Sequence, residues 1–384
     1  MTQRRYFDWN AGAPLLPEAR AAIASLLELR TGNPSSVHME GRAARDVVES
    51  ARAEVAALVG APATAVVFTA GGSEANATAI HGVLRSGDGA AGKVLLLARV
   101  EHPSVLAAAD QAEREGAVVR WLRVGSDGVI DLAHLDELLA AGSAALVCLQ
   151  LANSETGVVQ PVAAAAARAH AAGALVHCDA VQAAGKLTIA AGEIGADLLA
   201  LSAHKLGGLV GTGALVVAGE TPIEPLIPGT QESHRRGGSE NVAGIASFGA
   251  AARAAREHPG AWRDVAALRD ALEREVCARV AGAVVYGREA RRLTNTSCLG
   301  MPAPLRGPVM TAALDLRGFA VSSGTACSSG VERGSVVVEA MGFGSDDARR
   351  TLRVSLGPET ASGDVSAFVE ALVAVVAAAE GGRP

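Results

Sequence analysis

From about residue 45 to residue 220 the chain alternates short leucine- and valine-rich runs with alanine-rich stretches of helical length, and this rhythm restricts the fold more than any other feature. Strand, helix and strand in succession build a mainly parallel sheet covered by helices. Seven runs read as strands: 65–68, 93–98, 118–123, 144–149, 175–178, 198–200 and 214–217. Between them 73–85, 104–115, 132–141 and 162–172 read as helices, the last almost pure alanine, which reflects helix propensity rather than disorder. After residue 250 the rhythm changes to a helix at 263–280 with weaker strand signals at 283–286, 295–299 and 352–355. The expected fold class is therefore α/β: a large domain, 15–250, around a mainly parallel seven-stranded sheet, and a smaller α+β domain made of 1–14 and 251–384.

Composition narrows the function. Of 384 residues 49% are hydrophobic and 19% charged, enough to fill a large core and too apolar for a disordered chain. Basic residues number 34 against 40 acidic, a net charge of −6 without a basic run, so the electrostatic footprint of a nucleic-acid binder is missing. The longest apolar tract, 365–379, is interrupted by Glu370 and flanked by Asp364 and Glu380, reads as too short and too charged to span a bilayer, and is expected to be a docked terminal helix. The first ten residues lack the apolar core of a secretory signal, so a cytoplasmic location is expected. Five cysteines without CxxC spacing read as thiols rather than zinc ligands or disulfides.

Five constellations carry chemistry. Thr69-Ala-Gly-Gly-Ser-Glu-Ala-Asn76 follows a strand and opens a helix, where backbone N–H groups and the Ser73 hydroxyl can cradle a phosphate; it equally suits a tight turn at Gly71 and Gly72 with Ser73 as helix cap. It has neither the pattern of a dinucleotide site nor a Walker lysine. In Ser202-Ala-His-Lys205 a lysine follows a buried strand and stands before a glycine-rich run, a setting that suits either a desolvated nucleophilic amine or a surface turn, with Ser202 and His204 near enough to bind phosphate. In Leu175-Val-His-Cys-Asp-Ala-Val-Gln182, Asp179 ends an apolar strand, where a carboxylate needs a cation such as a pyridinium; a metal held by His177, Asp179 and a distant histidine is the alternative. Gln182 can donate to a phenolic oxygen, and His102, just past another strand, can stack on a flat ring, shuttle a proton or cap a helix. Cys327 lies in a run of small residues, so it alone of the five cysteines reads as reactive, and Arg353 can hold a carboxylate or make a structural ion pair. A phosphate cradle, a Schiff-base lysine, a strand-end aspartate and a stacking histidine are together the parts that hold pyridoxal phosphate.

In this order and spacing the motifs resemble the cysteine desulfurases, fold type I pyridoxal phosphate enzymes of the class V aminotransferase group. The resemblance runs from Tyr6-Phe-Asp8 through Gly32-Asn-Pro-Ser-Ser36, Glu101-His-Pro103, Glu155-Thr-Gly157 and Arg236-Gly-Gly-Ser-Glu-Asn241 to Ser323-Gly-Thr-Ala-Cys-Ser328 and Arg353-Val-Ser-Leu-Gly357. It implies that Lys205 carries the cofactor, that His102 stacks on its ring, that Asp179 meets the pyridine nitrogen and that Gln182 and Ser154 lie at the ring oxygen. It assigns Gly72, Ser73, Ser202 and His204 to the phosphate, with Ser239 reaching the phosphate of a neighbouring subunit in a homodimer. Asn33 and Arg353 are assigned to the substrate carboxylate and Asn153 to the substrate, and Cys327 takes the sulfur of L-cysteine and passes it to an acceptor protein, with no metal involved. Three positions depart from the pattern: Ser154 replaces an asparagine, Asn10-Ala-Gly-Ala-Pro14 lacks the usual threonines, and only 31 residues follow Arg353, so an iron-sulfur scaffold partner is not carried over. The runner-up is another class V enzyme, such as a selenocysteine lyase or a small-amino-acid aminotransferase, which needs no second nucleophile; a non-catalytic protein keeping the fold is the remaining alternative.

Overall fold

The structure, a computed structural model, describes residues 4–28, 32–324 and 334–381. Its strands in chain order are β1 (Arg5–Tyr6), β2 (Val66–Thr69), β3 (Val94–Ala98), β4 (Val118–Leu122), β5 (Ala144–Gln150), β6 (Leu175–Asp179), β7 (Leu198–Ser202), β8 (Gly213–Val217), β9 (Val284–Val285), β10 (Thr296–Gly300), β11 (Phe319–Ala320) and β12 (Thr351–Ser355). All seven runs expected as strands join one sheet, in the order β2-β8-β7-β6-β5-β3-β4. Only β8 runs against its neighbours.

Strand alternation fills two layers. Leu95, Leu97, Leu146, Cys148, Leu198 and Ala200 face one core, whereas Leu96, Ala98, Val147, Leu149, Cys178 and Leu199 face the other. Burial on both faces explains why these strands are nearly continuous apolar runs. The apolar signal ends too early, however: β5, β6 and β7 continue to Gln150, Asp179 and Ser202, because the main-chain ladder extends into polar residues at the site.

A further core gathers Phe7, Leu272, Val276, Leu299, Met310, Leu314, Leu352, Val354, Phe368 and Leu372. Here β10 lies antiparallel between β9 and β12, and β1 pairs with β11, so the N-terminal segment does join the elements that follow residue 250. The partition is less clean than the rhythm suggests, since Tyr286, Cys298, Val337 and Met341 pack into the core of the large sheet. The terminal apolar tract forms the helix Ser362–Gly381. Its stretch Ser362–Ala379 is long and apolar enough to cross a membrane, with mean hydropathy 1.6, contrary to the reading of the tract as too short. Its apolar face is nonetheless used here: Phe368 packs on Phe7 and Phe319 with ring centroids 5.5 Å from each, and Val365, Val369 and Leu372 are buried beside it.

Candidate active site

Because six of the seven large-sheet strands run the same way, their C-terminal ends share one edge, the position where open α/β sheets bind ligands. The residues after β2, β3, β5, β6 and β7 collect there. After β2 the helix Gly72–Arg85 starts at Gly71 with no side-chain cap, so Ser73 is not the cap. Its hydroxyl sits exposed in the first turn, where the helix start favours an anion. The wall is built of glycine: a Cβ on Gly72 would come within 2.7 Å of Val181 and 3.5 Å of Ser202, and one on Gly213 within 2.5 Å of the Gly71 backbone. Ser202, at the end of β7, bonds His204 Nδ1 at 2.9 Å. Burial and the Lys205 charge push His204 down to about 4, so it is a neutral hydrogen-bonding ring at physiological pH.

One residue that the sequence reading gave no role, Asn76, ties this helix to the neighbouring strands. Its Nδ2 donates to Asp179 Oδ2 at 2.8 Å and to Ser104 Oγ at 3.1 Å, and its Oδ1 accepts from His177 Nε2 at 2.9 Å. Asp179 Oδ1 accepts from the Val181 amide at 3.0 Å. Asp179 is 5% exposed and held by neutral donors, with no ion pair among the described residues, so its charge is left for a cation from outside the chain. His102 caps the helix Pro103–Arg114: Nδ1 accepts from the Ser104 amide, which leaves the ring proton on Nε2. Burial and the nearby Lys205 charge lower its basicity against the pull of Asp179.

Lys205 ends the short turn after β7 and donates to two backbone carbonyls, Asn10 O at 2.6 Å and Ala11 O at 2.8 Å. Burial and the Arg353 charge push it down to about 8, opposed by Asp8 and Asp179. It is thus no surface lysine. On β12, Arg353 donates to Asp8 at 2.8 Å and to the Ser154 carbonyl at 3.3 Å, while its Nε is buried without a partner. The ion-pair reading therefore holds, and Nε is the one guanidinium nitrogen without a partner among the described residues.

Other expected residues are arranged differently. Gln182 Nε2 donates to Asn10 O at 2.8 Å and its Oε1 accepts from Lys186, so its amide is already engaged. Asn153 Oδ1 accepts from the Glu155 and Thr156 amides and the Thr156 hydroxyl, and its Nδ2 donates to Val100 O. That side chain therefore builds the loop after β5 through its oxygen, and one of its two N–H donors is taken by Val100 O. Ser154 contributes its carbonyl, which accepts from Asn10 and Arg353. Asn33 Oδ1 accepts from the Ser35 amide, and among the described residues no hydrogen bond joins it to Arg353. Ser239 lines a small cavity with Thr69, Ala70, Gly211 and Arg236. Cys327 lies outside the described residues. The residues flanking its segment meet at Glu155: the Ser335 hydroxyl donates to Glu155 Oε2 at 2.6 Å, and a Cβ on Gly324 would come within 2.8 Å of that oxygen. Burial pushes Glu155 up to about 7. Cys148, Cys178 and Cys298 are buried with their thiols pushed up, and Cys277 is half-buried with its thiol raised too, so none of the four is an activated thiolate.

Residues 5–368 match the aminotransferase class-V family. The chain belongs to this family. Class-V relatives include a cysteine desulfurase of Cereibacter sphaeroides, 41% identical over 97% of this chain and 96% of its own, and the cysteine desulfurase IscS of Dictyoglomus turgidum, 34% identical over 98% and 95%. The solved structure of a NifS-like protein from Rickettsia africae superposes with a TM-score of 0.88 at 29% identity, covering 97% of this chain and 99% of that one. Enzymes of the class-V family generally use pyridoxal phosphate, and the edge of the sheet fits that group. A Cβ on Gly72 or Gly213 would crowd the helix start, a buried carboxylate has no ion pair among the described residues, and a half-buried amine has a depressed basicity.

Proposed function

We propose that this class-V enzyme is a pyridoxal-phosphate-dependent cysteine desulfurase that converts L-cysteine to L-alanine and holds the released sulfur as a persulfide on Cys327. The observation that carries the reading is Lys205, a half-buried amine with two acceptors and a basicity depressed by burial and Arg353, in a chain similar over 97% of its length to a cysteine desulfurase.

Pyridoxal phosphate, when bound, supplies an electron sink for charge developing at the substrate α-carbon. Lys205 would hold it, Asp179 would pair with its ring nitrogen, His102 would stack on the ring, and Ser73, Ser202 and His204 would bind its phosphate. In a homodimer Ser239 of the neighbouring subunit would complete that phosphate site. Arg353, held by Asp8 and the Ser154 carbonyl, would orient the substrate carboxylate with its remaining N–H donors. With a basicity near pH 8, the Lys205 amine can take the proton from the α-carbon and return one to the carbon that becomes a methyl group. The Cys327 thiolate attacks the substrate sulfur; an S–S bond forms as the C–S bond breaks, and the carbon keeps the bonding pair. One cysteine and one enzyme thiol thus yield one alanine and one enzyme persulfide, and a further thiol must accept the sulfur before the next turnover. A reducing cytoplasm, which keeps Cys327 a thiol, belongs to the same proposal.

The test measures alanine per enzyme from L-cysteine with and without a thiol reductant, for wild type and Cys327→Ala. Turnover with reductant, a stop near one equivalent without it, and almost no alanine from the variant are expected. An unimpaired variant would instead place the chain among class-V lyases or transaminases that need no enzyme thiol.

A further inference from the structure

The chain contains three lysines against 31 arginines. Lys93 reaches two main-chain carbonyls, Val83 O and Ser86 O. The other two meet at one residue: Lys205 donates to the backbone carbonyl of Asn10, and Lys186 to its side-chain oxygen at 3.1 Å. A protein that uses arginine almost everywhere keeps two of its three amines at the ends of one asparagine. Unlike arginine, an amine is a compact charge whose proton affinity its surroundings readily shift.

The partners of the two amines differ in number. Lys186 Nζ faces three acceptors, Asn10 Oδ1, Gln182 O at 3.2 Å and Gln182 Oε1 at 3.0 Å, and lies 5.6 Å from the centre of the Trp262 ring. Three acceptors and an aromatic face match the three N–H bonds and the charge of an ammonium; a neutral amine there would point its lone pair at an oxygen. Lys205 has two acceptors, which match the two N–H bonds of a neutral amine and leave its lone pair unengaged. We propose that Lys186 is a positioning residue, a resident ammonium that occupies the Asn10 side chain and keeps Lys205 as the reactive neutral amine. The inference rests on Lys205 being the reactive amine of the proposed enzyme.

Other charges act on the pair. Lys205 also faces Asp8, Arg353, Asp179, His102 and His204, and Lys186 faces Lys205 and Arg353. Burial and the like charges of Lys205 and Arg353 push Lys186 down to about 7, and burial and the Arg353 charge push Lys205 down to about 8; the third acceptor and the Trp262 face oppose that order at Lys186. The asparagine fixes the geometry. Its Nδ2 donates to Thr296 Oγ1 and Ser154 O, Asn295 donates to its Oδ1, and its amide donates to Ser355 Oγ, so the group between the amines cannot rotate without breaking several buried bonds.

With only three lysines the experiment resolves each one. Cofactor-free protein is labelled with trinitrobenzenesulfonate from pH 6 to pH 10, and the peptides of Lys93, Lys186 and Lys205 are quantified by mass spectrometry. In wild type the Lys205 rate should reach half its maximum near pH 8, the value its surroundings set. In Lys186→Met the midpoint should rise by about one pH unit, so that labelling near neutral pH is ~10-fold slower. An unmoved midpoint would overturn the proposal. Because the substitution leaves a buried cage around an apolar side chain, wild-type protein carrying carbon-13 at the lysine ε position provides a second measurement. Its three resonances should show Lys186 still charged through the pH range in which Lys205 titrates, and Lys186 deprotonating first would overturn the proposal whatever the variant does. Neither readout involves L-cysteine: a protein that labels as expected but makes no alanine refutes the desulfurase reading alone, and the reverse refutes the amine pair alone.

Discussion

Replacing Asn76 with alanine tests whether the strand-end aspartate is held by the helix that starts the phosphate site. The substitution removes the bond to Asp179 Oδ2 and leaves the buried His177 Nε2–H without its acceptor. A hydrogen bond to a charged group contributes ~1.5–3 kcal/mol and an unsatisfied buried donor costs ~1–3 kcal/mol. Water entering the vacated space recovers part of this, so a loss of about 3 kcal/mol is expected. Urea unfolding of the cofactor-free protein reads it as a lower midpoint at unchanged slope. Cofactor affinity should fall about tenfold as well, because Asp179 keeps only the Val181 amide. Asn76→Asp sharpens the test by placing a second carboxylate beside Asp179. Its folded-state pKa must lie above its unfolded value, so its deficit should be smallest in acid and grow as pH rises through the folded pKa. If Asn76→Ala matches wild type within ~0.5 kcal/mol, Asn76 does not hold the aspartate and the reasoning fails.

Other expectations follow from the same geometry. Cofactor incorporation into cofactor-free protein, trapped with borohydride, should rise about tenfold per pH unit below about 8 and level off above, since the Lys205 ammonium must lose its proton to add to an aldehyde; a flat profile would contradict the assignment. For Glu155, burial raises the carboxyl from 4.5 to about 7, which makes the wild type lose stability relative to Glu155→Gln as pH climbs through that window, by ~3 kcal/mol at most. Equal pH dependence of urea midpoints in the two proteins would show that the group does not titrate there. Gly72→Ala puts a methyl group within 2.7 Å of Val181, and equilibrium dialysis should find markedly weaker cofactor binding. Phe368→Ala should cost ~3–5 kcal/mol in thermal unfolding if the terminal helix is docked through its aromatic cluster.

What could be read in the sequence follows a physical division. Strands buried on both faces announce themselves as apolar runs, and all seven large-sheet strands were legible for that reason. Residues with unusual chemistry at strand ends, Asp179, Lys205 and His102, were legible because a charge or a ring nitrogen beside an apolar run needs an explanation. Residues whose role is to satisfy others were not. Asn10, Asn76 and Asn153 are ordinary amides in sequence, yet each ties together segments far apart in the chain, and only the fold brings their partners within reach. Asn153 shows the same limit, since its oxygen takes three backbone and hydroxyl partners that the sequence does not announce. Lys186 was passed over as well, although a chain with three lysines gives each one weight and a spacing of four residues from Gln182 lets the two side chains meet. Desolvation, acceptor count and neighbouring charge tune the reactive amine together, and the groups that supply them come from the N-terminal segment, from the stretch after β6 and from β12. Each of these places is therefore a route by which a substitution distant in sequence can change the reactivity of Lys205 without touching it.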